Sequence, residues 1–170
     1  MVLDVFVEGC EDSFSCQYSG FGKFRCEILR GWNPELGRLY DRKYGFLWNK
    51  GGGGFETGLI QMLLGKQFGQ SENLQEQIDE ILEQYDKPYN EGMKIFANHS
   101  DCDGEITSDE CVLLLKSFGR VDPEKFDDSD EEMNEWYRES YVVWQKMMTY
   151  AIENNQSILF GWIIKIKQIR

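Results

Sequence analysis

Between residues 98 and 110 the chain reads NHSDCDGEITSDE, and its oxygen-bearing side chains fall at a spacing that chemistry can use. Asp101, Asp103, Glu105 and Thr107 alternate about Gly104, and Glu110 closes the set. Carboxylate and carbonyl oxygens in that pattern suit a hard divalent cation, Ca2+ above all, with Glu105 contributing mainly through its carbonyl. Imidazole nitrogen suits such an ion poorly, so His99 at the head of the run breaks the pattern. The same residues also have work to do without an ion. Thr107-x-x-Glu110 is a capping box that starts a helix, and Asp101 and Asp103 can bond to nearby N–H groups, as aspartates do in turns.

With Gly104 at position 6, the stretch resembles the twelve-residue loop of the EF-hand family. His99 falls at position 1, Asp101 at 3, Asp103 at 5, Glu105 at 7, Ile106 at 8, Thr107 at 9 and Glu110 at 12. ITSDECVLLLKSFG resembles the helix that follows such a loop. The preceding side matches less well, because Pro88 and Gly92 leave room for only a short helix or an extended segment, and no second loop is present to make the usual pair. The resemblance implies a degenerate single EF-hand whose metal residues are Asp101, Asp103, Glu105, Thr107 and Glu110, binding Ca2+ weakly. His99 to Gly104, together with Tyr18 to Phe21, also resembles a group of small bacterial and phage proteins that carry a His-Ser-Asp-Cys-Asp-Gly loop and an upstream Tyr-Ser-Gly-Phe. That group brings no assigned activity.

No catalytic constellation accompanies the loop. His99 is the single histidine, and neither Gly-x-Ser-x-Gly nor His-Glu-x-x-His occurs. The five cysteines, at 10, 16, 26, 102 and 111, form no Cys-x-x-Cys pair and read as reduced thiols. Lys50 to Gly54 is no Walker loop, since Gly65-Lys66 is followed by Gln67. Carboxylates with a divalent ion could hydrolyse a phosphoryl group, which makes a metal-dependent hydrolase the third reading.

The net charge of -12 is regional: residues 71–135 hold 20 acidic and 5 basic side chains, whereas 1–70 hold 8 of each. Such a field repels nucleic acid and membrane phosphates and attracts cations or basic protein surfaces. Direct nucleic-acid binding is therefore not expected. DDSDEE concentrates the charge, which makes Asp127, Asp128, Asp130, Glu131 and Glu132 the candidate partner-binding residues. The leading expectation is a non-catalytic acidic protein that binds a basic partner, such as a nucleic-acid-binding protein, in the manner of a phage anti-CRISPR or other nucleic-acid mimic. A calcium-binding EF-hand-like module is the alternative.

These residues need elements to hold them. VLDVFV at the start and SILFGWIIKIK near residue 160 read as strands that pair with each other. Between them the signals are helical: Phe21, Phe24, Ile28 and Leu29 mark a short helix after Tyr18-Ser19-Gly20, and Asn33-Pro34-Glu35 starts another. Residues 58–68 and 72–86 give two more, the latter with Leu74, Ile78, Ile81, Leu82 and Tyr85 on one face. The longest helix runs over 129–154, with Met133, Trp136, Tyr137, Tyr141, Trp144, Met147, Met148 and Ile152 as its apolar stripe. The fold expected is α+β, a mainly helical single domain over 1–170, with a flexible glycine loop at 50–54. With no run of roughly 18 apolar residues and no leader, a cytoplasmic protein without membrane contact is expected.

Overall fold

The structure, a computed structural model, describes residues 2–44, 68–99, 104–128 and 130–163. The chain forms two strands, β1 (Val2–Phe6) and β2 (Ser13–Gln17), followed by helices α1 (Tyr18–Trp32) and α2 (Pro34–Tyr44). After these come α3 (Phe68–Glu83), α4 (Lys87–Asn98), the short β3 (Glu105–Ile106) and α5 (Ser108–Phe118). A 3-10 turn (Pro123–Lys125), the long α6 (Glu131–Asn154) and β4 (Ile158–Ile163) complete the order. The architecture is α+β and mainly helical, and among the described residues no helix is long and apolar enough to cross a membrane. The glycine run at 50–54 and, up to residue 67, the helix expected over 58–68 lie outside the described residues, and Phe68 begins α3 instead.

The sheet is antiparallel with the order β2-β1-β4-β3. β1 and β4 pair as the two apolar runs predict, with Leu3 opposite Trp162 and Val5 opposite Phe160. Strand alternation decides which side faces the helices: Leu3, Val5, Phe14, Cys16, Ile106, Ile158 and Phe160 are buried, while Phe6, Ser13, Ser15, Gln17 and Glu105 are exposed. β2 was not expected from sequence. Its two inward residues, Phe14 and Cys16, are separated by Ser15 alone, and the strand is defined by its register on β1 instead, Val5 opposite Phe14.

Trp144 of α6 is the centre of the core. Phe14, Phe21, Phe24, Phe96, Phe118 and Phe160 place their ring centroids 5.3–6.3 Å from it, so strands and helices meet on one indole. Packed and tilted aromatic pairs add about 0.5–1.5 kcal/mol each beyond the area they bury. Of the stripe read on α6, Tyr137, Tyr141, Trp144, Met147 and Met148 are buried, joined by Ala151, while Met133, Trp136 and Ile152 are half-buried against the core.

Three helices differ from the sequence reading, and the first is α3, which spans Phe68–Glu83 where 72–86 was expected. α1 is longer at both ends, beginning at Tyr18 and continuing to Trp32, where the Asn33 amide bonds to the Leu29 carbonyl. Lys87-Pro88 does not leave an extended segment. Pro88 lies in the first turn of α4, where the N–H it lacks would have no helical partner anyway.

Candidate functional site

α4, the loop from His99, β3 and α5 form a helix–loop–helix unit. The preceding helix is complete, three turns of it, and it packs tightly on α5 at Gly92. A methyl group at Gly92 would come within 2.2 Å of the Leu113 carbonyl oxygen and 2.4 Å of Ser117 Oγ. Only a glycine permits that approach. Ser117 uses it to donate to the Tyr89 carbonyl at 2.6 Å.

The loop residues sort into three groups. Asp101 and Asp103 lie outside the described residues. Thr107 and Glu110 meet each other: the Glu110 carboxylate accepts from the Thr107 amide at 2.8 Å and from the Thr107 hydroxyl at 2.9 Å, and the Glu110 amide donates back at 3.3 Å. This is the capping box, and it satisfies two helix-start donors with no ion. The Glu105 side chain is exposed on the sheet edge, while its carbonyl, the position-7 oxygen, lies 3.3 Å from His99 Nε2. In place of a second EF-hand loop, β3 pairs with β4, Ile106 opposite Ile158. Among the described residues no group of three His, Cys, Asp or Glu side chains could hold a metal ion.

Sequence reading missed Arg25. It is buried in α1, over the Phe21 ring at 4.5 Å, and donates to the Tyr40 hydroxyl at 2.9 Å and to the His99 carbonyl at 3.0 Å. Tyr40 in turn donates to the Ala97 carbonyl at 3.2 Å. A cation and a hydroxyl thus serve the C-terminal carbonyls of α4, the end of a helix that favours positive charge. The signal was present, since Arg25 sits in the i, i+4 register of Phe21 and so inside the apolar stripe.

The acidic run is held as firmly. Glu27 of α1 accepts from the Asp127 amide at 2.9 Å and from Arg30 at 2.7 Å, and Arg30 also donates to the Asp127 carbonyl at 3.1 Å. One residue further on, the buried Asn134 accepts from the Asp128 amide at 2.8 Å and donates to its carbonyl at 2.9 Å. Side chains thereby give both backbone groups of two consecutive residues the partners a strand would give. Asp128 accepts from the Asp130 amide and the Tyr137 hydroxyl, and Asp130 caps α6 by accepting from the Glu132 amide. Glu131 pairs with Arg138 at 3.1 Å, and that contact, helped by Asn134, holds its carboxyl below the usual range. Asp127, Asp130, Glu131 and Glu132 are exposed; Asp128 is half-buried. The Asp127 and Glu132 carboxylates take no part in the contacts just described.

Burial raises the Glu27 carboxyl above its ordinary range against the pull of the Asp127 amide and Arg30. It also pushes the Cys111 thiol up to about 12 and the Cys26 thiol higher still, so neither forms the thiolate that nucleophilic chemistry needs at neutral pH.

Comparison with known proteins returns no matching family model, no matching curated protein and no matching solved structure.

Proposed function

We propose that this protein is a non-catalytic acidic module that docks on a basic surface of a partner protein, with the segment 127–132 at the centre of its contact. One observation carries the reading. Glu27, Arg30 and Asn134 fix the backbone of Asp127 and Asp128, so exposed carboxylates are presented from a rigid scaffold rather than from a loose acidic tail. Rigid presentation reduces the ordering cost of association, which a flexible acidic run would have to meet at the moment of binding. The partner chemistry that fits is a Lys- and Arg-lined groove of the kind that otherwise holds phosphates. An inhibitor acting as a nucleic-acid mimic, as anti-CRISPR proteins do, is the form this reading takes.

The test is affinity capture from cell lysate with the wild type and with the double variant Asp127→Asn, Glu132→Gln. The expected result is a basic partner that high salt releases and that the double variant retains about ten-fold less well or worse, since a close charge pair at the centre of a contact couples by about 1.5 kcal/mol or more. Equal capture by the two proteins overturns the assignment of the contact to this segment. A calcium-binding module is the competing reading, and the complete helix α4 ahead of the loop favours it.

A further inference from the structure

We infer that the His99 imidazole ties the end of α4 to β3, standing where a helix–loop–helix unit of this register would otherwise use a cation. In the EF-hand register the carbonyl at position 7 is turned toward the ion. Here that carbonyl, of Glu105, lies 3.3 Å from His99 Nε2, the side chain of position 1. One face of the ring is also packed, stacking on Phe160 of β4 with centroids 4.0 Å apart and planes at 27°.

Gly104, at φ +103°, keeps its α-carbon open toward the ring, and a methyl group there would come 3.5 Å from Nε2 and 3.6 Å from Cε1. The backbone of His99 closes α4, its amide bonding to the Ile95 carbonyl at 3.0 Å and its own carbonyl accepting from Arg25. The Phe160 amide donates to the Gly104 carbonyl at 3.1 Å, so the strand carrying the stacked ring also holds the loop's turn. Position 12 is likewise engaged by the protein, since Glu110 accepts from both the amide and the hydroxyl of Thr107. An aromatic base thus joins the end of α4 to β3 and β4 through described residues alone, and this tie needs no ion.

The proposal is independent of the partner reading, and its consequences are separate. A carbonyl accepts, so His99 must carry its proton on Nε2. Long-range nitrogen–proton NMR of the wild-type protein is expected to show that proton, with the pattern unchanged by millimolar calcium. A neutral ring protonated on Nδ1 alone overturns the proposal, and this readout needs no variant to fold. Thermal unfolding gives the second test. His99→Ala is expected to lower the midpoint by about 4–8 °C, the hydrogen bond and the ring stack lost together, equally in calcium and in chelator. A midpoint equal to that of the wild type, or a wild-type midpoint that climbs with added calcium, overturns it.

Discussion

Glu27 lies in α1 with its side chain 7% exposed, and it carries a charge into that position for a backbone amide a hundred residues away. Desolvation raises its carboxyl, so the native protein takes up a proton at Glu27 at a pH where the unfolded chain would stay ionised. The sign follows. A group with a raised native value contributes stability that is complete below its unfolded value near 4.5 and is lost as pH rises through the raised one. Glu27→Gln keeps an oxygen to accept from Asp127 and never ionises. The variant's stability relative to wild type is therefore expected to improve as pH climbs from 4 toward neutral, read as the difference between two denaturation series. A flat difference would mean an unshifted Glu27 carboxyl and a falling one a lowered carboxyl, and either would overturn the raised value. Charge was legible in the sequence at this scale, but its burial was not: Arg25 stands in the register of an apolar stripe, whereas Glu27 owes its position to a loop no local pattern brings near.

Among elements, the crossing of α4 and α5 is the most demanding. The helices approach until the Gly92 α-carbon lies against the Leu113 carbonyl, and Ser117 fills the remaining room with a bond to Tyr89. Gly92→Ala has nowhere to put its methyl group and must push the helices apart. The expected cost is about 1–3 kcal/mol, the usual penalty for overpacking, seen as a lower denaturant midpoint with an unchanged slope. α5 itself was legible down to its cap, because Thr107 and Glu110 encode the start locally. α4 was not, since Pro88 and Gly92 both argue against a helix until a neighbouring helix gives the glycine its purpose. β2 was hidden for a related reason: its register comes from β1, and local sequence carries only half the pair.

For the whole molecule, the distribution of charge outranks any single pair. Residues 71–135 hold 20 acids against 5 bases, and the exposed acids of α3, Glu76, Glu80 and Glu83, add to those of the 127–132 segment. A field of this extent acts on encounter more than on the final contact. Once a partner is in hand, raising ionic strength from about 0.05 to 0.5 M is expected to slow association about ten-fold or more while dissociation changes little, measured by surface-immobilised kinetics. An association rate indifferent to salt would remove the acidic field from the mechanism. The gross outline, strands pairing across a helical middle, was legible because β1 and β4 are the two apolar runs with strand character. That they form the centre of a sheet with four strands among the described residues, gathered round Trp144, was not, since six phenylalanines scattered from 14 to 160 share no local period.

The pairing of Val2–Phe6 with Ile158–Ile163 also sets a schedule for the nascent chain. A ribosome adds about 5–20 residues per second, so the hairpin of β1 and β2 emerges roughly 8–30 s before the strand that will cover its inner edge. Throughout that interval β1 offers open amides and carbonyls beside apolar Leu3 and Val5, a template for any passing strand. Contacts this distant in sequence also fold slowly once the chain is whole. The protein's yield in a cell thus depends on how well that first hairpin is shielded while the rest is being made, a vulnerability that the finished sheet no longer displays.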